Sequence, residues 1–279
     1  MKEDMPQELV TKLGIAEAEF LYYVESMARP PTKAALGIDT ARVGGGVAIS
    51  MRSSMTGYWS SRALGFGFSE PVTDALMDQV VEFYASHDSG GAVFQIAPAA
   101  LPGTWPDMCR RLNITQHSTW IKLACSIDDM RPGTGSALHV GPVGVADIEQ
   151  WAAVTTRGFG TPEEEVADML VSSTTELKCR PFAAWDGDDM VATANLFIHE
   201  DVGALNLGTT LPPYRNRGAQ SALIAARAKV AKDAGCRWLC AEARHPGTDG
   251  VNPSLNNLVR SGFRRLYDRH NWTWTPTSS

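Results

Sequence analysis

The sequence predicts an α/β (α+β) chain built from two similar halves in tandem. Short apolar stretches of strand character alternate with stretches of three- to four-residue period, so strands and helices are mixed along the whole length. Both halves run through the same order of strands, helix, strand, short helix and strand. ALGFGF from Ala63 aligns with ALNLGT from Ala204, and TWIKL around Trp120 with NWTW around Trp272. The offset widens between the two matches, as it does when loops lengthen in one copy.

Leu9, Leu13, Ala16, Phe20 and Val24 recur at helical steps, which predicts a helix over 7–27, ended by Pro30 and Pro31. Strands are expected at 43–51 and 59–68 around the turn SSMTG, and a helix at 72–87 from Leu76, Val80 and Phe83. A buried strand at 92–98, a helix at 105–112 and a strand at 119–125 close the first half. DDMRPGTGS, at 128–136, is rich in Gly, Pro and polar residues and reads as a linker, dividing the chain into domains 1–130 and 131–279. Beyond it come a strand at 137–143, helices at 147–157 and 162–172, and strands at 181–185, 191–199 and 204–210. Asp186-Gly187-Asp188-Asp189 suits the hairpin between the first two of those three strands. A long helix at 218–234, stopped by Gly235, leads to a strand at 237–243, a short helix at 253–260 and the strands FRRLYDR and HNWTW.

Composition narrows the function. Of 279 residues, 44% are hydrophobic and 20% charged, the profile of a soluble globular protein. Twenty-five basic against 31 acidic residues give −6, which weighs against a nucleic-acid partner but permits a local anion site. No apolar run reaches the roughly 18 residues of a membrane span, and MKEDMPQELV lacks a signal-peptide core. The expectation is a cytoplasmic protein without a membrane partner, monomeric or homodimeric. Cys109, Cys125, Cys179, Cys236 and Cys240 form no CxxC pair and read as buried thiols. Six scattered histidines without HExxH spacing give no metal site.

The most informative stretch is YRNRGAQSAL, from Tyr214 to Leu223. Pro212 and Pro213 end the preceding strand, and Gly218 permits a tight backbone before the long helix. The first amides of that helix have no intrahelical partners, the macrodipole adds about half a positive charge, and Arg215 and Arg217 add full ones. Such a turn suits phosphate. The chain has neither GxxxxGK[ST] nor a GxGxxG after its first strand, so the common nucleotide loops do not account for it.

Arg215, Gly218 and Ser221-Ala222-Leu223 resemble the [RQ]xxGx[GA] pyrophosphate loop of the GNAT N-acetyltransferase superfamily, between its fourth strand and third helix. Gln220 stands where that family has Gly or Ala, and it either narrows the turn or lends a side-chain amide. NPSLNNLVRSGF, at 252–263, resembles the family's other motif, a cofactor-contacting Asn or Ser before a short helix ending in Gly-Phe. The resemblance covers about 137–274. It implies two tandem GNAT-like domains, each a mixed, mostly antiparallel sheet flanked by helices, and acetyl-CoA (coenzyme A) as cofactor.

By the same resemblance the pyrophosphate lies on the amides of about Arg217, Gly218, Ala219, Gln220 and Ser221, with Arg215 and Asn216 also binding the cofactor. The pantetheine arm follows Leu207, Gly208, Thr209, Thr210 and Leu211, with Asn252, Asn256 and Asn257 beside it. In the first half the matching turn reads FSEPVTDAL, where Glu70 and Asp74 replace Arg and Gly, so that half looks like a degenerate copy that does not bind coenzyme A.

The implied activity is transfer of an acetyl or short acyl group from coenzyme A to an amine of a small molecule. The alternative is a non-catalytic coenzyme-A-binding sensor or interaction protein. Acyl transfer needs a carbonyl-polarising donor, a base and an acid. Thr209 on the fourth strand is the candidate for the first, and Glu242, breaking the apolar run LCAEA, for the base, with His199, Glu200 and His245 behind it. Many members carry a Tyr four residues before the Gly of Gly-Phe as acid; Leu258 stands there, and Tyr267 is the nearest substitute. Trp272 and Trp274 alternate on the last strand and read as a packing face between the halves rather than a substrate cage. Gly158-Phe159-Gly160-Thr161 and Trp185 are expected to shape the acceptor pocket.

Overall fold

A computed structural model of the chain describes residues 7–53, 60–131, 133, 135–161, 163–247 and 250–277. Most of the expected turn SSMTG, Trp59 and Pro162 lie outside the described residues. The chain forms two compact units, Met1–Ile121 with Tyr267–Ser279, and Lys122–Leu266. The last strand therefore belongs by contact to the first half, an assignment that a linear cut of the sequence does not make.

In the first unit, helix α1 (Gln7–Ser26) buries Leu9, Leu13, Ala16, Phe20 and Val24, the stripe that its spacing predicts. Pro30 and Pro31 do more than end it. They open a second helix, α2 (Pro30–Leu36), because a proline in the first turn lacks only an N–H that would have no partner there. Strands β1 (Ile38–Val43) and β2 (Gly46–Met51) form an antiparallel hairpin over Gly44 and Gly45, whose φ values of 54° and 72° suit glycine. The sequence suggested one strand over 43–51; β1 was hidden because IDTARV lacks apolar alternation. Strand β3 (Arg62–Leu64) pairs with β2, helix α3 (Asp74–Ser86) follows, and β4 (Ala92–Gln95) lies parallel to β3. Helix α4 (Trp105–Leu112), closed by Asn113 at φ 55°, leads into β5 (Ile114–Ser126).

The chain's last strand pairs antiparallel with β4, Trp272 opposite Phe94 and Trp274 opposite Ala92. Trp272 and Trp274 are thus not a face between halves. Trp274 is buried with Tyr84 and Phe94 in the first unit's own core, and Trp272 meets Trp105 edge-on at 5.5 Å. The first unit also buries Glu25 of α1, 1% exposed, whose Oε2 has no hydrogen-bond partner among the described residues. Burial pushes its carboxyl from 4.5 up to about 8, against the pull of Arg62. The folded state then holds this proton more tightly than the unfolded chain does. Its contribution is fully present below the ordinary value and is lost as pH rises through about 8. Urea titrations between these limits should show stability falling with pH, and Glu25→Gln should flatten that slope.

The second unit contains β6 (His139–Pro142), helices α5 (Ile148–Phe159) and α6 (Glu164–Ser173), and an antiparallel run of β7 (Cys179–Asp186), β8 (Asp189–His199) and β9 (Val202–Thr210). Helix α7 (Ala219–Asp233) returns the chain to β10 (Trp238–Arg244), parallel to β9, and α8 (Pro253–Arg260) precedes β11 (Arg264–Trp274). FRRLYDR and HNWTW are one strand rather than two. The order across the sheet is β6-β7-β8-β9-β10, with the end of β5 beyond β10. The parallel pair joined through a helix recurs: Ala63 faces Phe94 in one unit, and Ala204 faces Cys240 in the other. All five cysteines are buried and none is in a disulfide. No described helix is long and apolar enough to cross a membrane.

Candidate functional site

Three pieces of the second unit converge on one cleft: the end of β9, the turn leading into α7, and the start of α8. It encloses about 700 Å³, within the range of roughly 300–1,000 Å³ usual for small-molecule sites.

The strand wall depends on a bulge. Thr193 of β8 faces Thr209 and Asn195 faces Asn206, so Ala194 stands opposite both Leu207 and Gly208. Leu207 takes φ 51°, a left-handed conformation costly for a branched side chain, and is held there 2% exposed. The Trp151 indole donates to the Ala194 carbonyl at 3.2 Å, and Thr155 donates to the Thr193 hydroxyl at 2.8 Å. On its other edge β9 pairs with β10 only through Val202, Gly203 and Ala204. The two strands then part, leaving the backbone of Gly208, Thr209 and Thr210 on the cleft wall with main-chain groups for an extended, amide-bearing ligand. Gly158, at the end of α5, lies so close that a Cβ there would fall 2.3 Å from Thr209 Oγ1.

The turn supplies positive potential. Arg215 Nε donates to the Thr210 carbonyl at 3.2 Å, tying the turn to the strand end. Asn216 and Gly218 both have positive φ, 64° and 80°. Helix α7 begins at Gly218 without a side-chain cap or an acidic residue in its first turn. Its first bond back to Gly218 comes from Ala222 N–H, at 3.1 Å, so the amides of Ala219, Gln220 and Ser221 lack intrahelical acceptors. Among the described residues, Arg215, Arg227 and Arg260 line the cleft and no acidic residue does. The corresponding helix of the first unit begins differently: Thr73 Oγ1 caps α3 by accepting from Leu76 N–H at 3.2 Å, and Asp74 sits in the first turn, paired with Arg111 at 2.8 Å.

Of the residues expected from the sequence, Gly208, Thr209, Thr210, Arg215, Asn216, Gly218, Ala219, Gln220, Ser221, Asn252 and Asn257 line this cleft. Leu207, Leu211, Arg217 and Asn256 do not. Leu207 is buried at the bulge, Leu211 N–H bonds to the Val191 carbonyl, and Asn256 faces solvent. Arg217 turns its guanidinium to Asp186, donating both arms at 2.6 and 2.8 Å.

Gln220 is a strut rather than a free amide. It donates to Ser254 Oγ at 2.6 Å and accepts from Asn257 Nδ2 at 2.7 Å, fastening α7 to α8. Asn252 caps α8 through Leu255 N–H at 3.1 Å and donates to the Arg244 carbonyl at 2.7 Å. Thr209 is on the wall, whereas Glu242, half-buried on β10, and Tyr267, on the part of β11 that belongs to the first unit, are not. Sequence reasoning missed Thr193, Tyr214, Arg227, Ser254 and Arg260. Arg227 had a local signal, a cation one turn after Leu223 on an otherwise apolar stripe.

Residues 145–249 match the model of the acetyltransferase (GNAT) family. No curated protein matches the chain. Among solved structures, a GCN5-related N-acetyltransferase from Kribbella flavida superposes with a TM-score of 0.61 at 15% identity, covering 95% of this chain and 96% of that one. A tandem GNAT protein from the clavulanic acid biosynthesis pathway gives 0.59 at 12% identity, over 85% and 82% of the two chains. A GCN5-related N-acetyltransferase from Sphaerobacter thermophilus gives 0.58 at 12%, with the same coverage. At such identities the likeness speaks for the fold. The bulged strand, arginine turn and uncapped helix all lie inside the stretch that matches the acetyltransferase (GNAT) family model, and the chain has the fold of GNAT proteins, a tandem one among them.

Proposed function

We propose that the protein transfers an acetyl or other short acyl group from coenzyme A to the amine of a small molecule, using the cleft of the 131–279 half alone. The observation that carries this reading is an uncapped helix start opening onto a cleft that, among the described residues, is lined by three arginines and no acidic residue. The amides of Ala219, Gln220 and Ser221 with Arg215 would hold the pyrophosphate, and the free edge of Gly208–Thr210 would pair with the pantetheine amides. The bound thioester supplies an activated acyl group: the C–N bond to the amine forms, the C–S bond breaks, and the amine proton ends on the thiol.

Thr209 would polarise the acyl carbonyl through its main-chain N–H or hydroxyl, and Gly158 at the end of α5 lies against its side chain. Glu242 as base and Tyr267 as acid rest on their sequence positions. The first half, with α3 capped by Thr73 and carrying Asp74, is assigned no coenzyme site.

Calorimetry with coenzyme A should give one site per chain, and acetyl-CoA with a panel of small amines should give amine-dependent thiol release. Binding and thermal stabilisation without release from any amine would leave a coenzyme-A-binding sensor. The absence of binding would remove the reading altogether.

A further inference from the structure

Arg227 lies deeper in the same cleft than the phosphate cradle. It sits on α7 two turns beyond Ala219, about 12 Å along the helix axis. Its side chain is 3% exposed, yet it lines the cleft. Nε donates to the Leu223 carbonyl at 3.0 Å, and Nη1 donates to the carbonyls of Asn195 at 2.9 Å and Asn206 at 3.3 Å. These bonds use the donors of Nε and Nη1 and leave the two N–H groups of Nη2 without an acceptor among the described residues. No carboxylate offsets the charge: burial alone lowers the guanidinium, to about 9, and it remains protonated at neutral pH.

The place of this cation along the cleft is informative. The strand wall runs inward from Thr210 through Gly208 to the bulge at Leu207, and Arg227 grips the carbonyl of Asn206, the next residue in. A coenzyme held by its phosphates at Ala219–Ser221, with its arm along Thr210–Gly208, brings its acyl group to this inner end. A methyl group there leaves a desolvated guanidinium with two unused donors, whereas a carboxylate would accept both and neutralise it.

On the reading that the cleft binds acyl-CoA, we propose that its preferred donor carries a short acyl chain ending in a carboxylate, of the malonyl or succinyl type, with Arg227 as the specificity-determining residue. The transfer step itself is unchanged, and the second carboxylate stays on the acyl group throughout.

The test measures dissociation constants by calorimetry for coenzyme A, acetyl-CoA, butyryl-CoA, malonyl-CoA and succinyl-CoA. The wild-type chain is expected to bind malonyl- or succinyl-CoA about ten- to a hundredfold more tightly than the neutral thioesters, the range of a charge-assisted bond to a buried guanidinium. In Arg227→Met the ratio of acidic to neutral affinities should collapse toward one, and Arg227→Lys should keep part of it. Equal affinity for acidic and neutral thioesters in the wild-type chain overturns the proposal, a result that needs no variant to fold. A preference that survives in Arg227→Met does the same. Coenzyme A separates the two readings: if it binds and acyl charge makes no difference, only the role of Arg227 fails. If it does not bind, the assignment of the cleft fails first.

Discussion

Gly218→Glu is expected to weaken coenzyme A binding by more than about a hundredfold while leaving the fold intact. Gly218 holds φ 80°, a region where an L side chain is strained, and the nearest atoms to a Cβ are Gly135 O at 3.4 Å and Ser136 Cβ at 3.5 Å. There is room for the side chain, so the cost is backbone strain, of order 1–2 kcal/mol. A carboxylate at an uncapped helix start recovers about 0.3–1 kcal/mol through the dipole, so stability changes little. Binding changes much more. The new carboxylate occupies the amides of Ala219–Ser221, which the pyrophosphate would use, and places a like charge against it. A loss of about 3 kcal/mol corresponds to the hundredfold. Gly218→Ala separates the two causes, since it carries the strain without the charge and should cost only a few-fold. Arg215→Ala removes one charged donor and should cost about tenfold. Unchanged affinity in Gly218→Glu, measured by calorimetry on a chain whose unfolding midpoint is preserved, would remove the phosphate assignment.

The turn before α7 and the start of that helix were legible because their signals are local. Two prolines end a strand, an arginine and a glycine form the turn, and a small-residue helix follows, all within a dozen positions. What escaped the sequence consists of relations between distant segments. The bulge at Leu207 exists only as a mismatch between the registers of β8 and β9, and nothing in ALNLGT marks which residue is extra. Arg217 reads as a phosphate ligand until the β7–β8 hairpin brings Asp186 to it. The oddity of Gln220 was visible, but its cause, a pair of hydrogen bonds to Ser254 and Asn257, depends on where α8 packs. Pro30 illustrates a different limit: the same residue stops one helix and starts another, and only the backbone decides which reading applies. The alternation of Trp272 and Trp274 marks a packing face, but the sequence suggested one between the halves and could not say that their partners are Tyr84, Phe94 and Trp105 within the first unit.

That return of the last strand to the first unit leads to the second large effect: breaking the Glu17–Arg269 pair should destabilise the first unit by about 3–5 kcal/mol. Arg269 of β11 donates through both terminal nitrogens to the two carboxylate oxygens of Glu17 on α1, each at 2.8 Å. The residues are 3% and 8% exposed, so water screens the pair little and cannot take over its hydrogen bonds. Arg269→Met removes the guanidinium that holds both oxygens of the buried Glu17 carboxylate, and Glu17→Leu removes the carboxylate that holds both terminal nitrogens of Arg269. Each single change removes the bidentate partner that offsets the desolvation of the remaining buried charge. The double variant Glu17→Leu with Arg269→Met abandons neither, and it should recover most of the loss because apolar side chains of similar volume fill the same space. Urea titration of the four proteins gives the coupling directly. Two single variants each close to the wild-type midpoint would mean that residues 267–279 do not pack with α1 in solution, and the placement of the last strand in the first unit would have to be withdrawn.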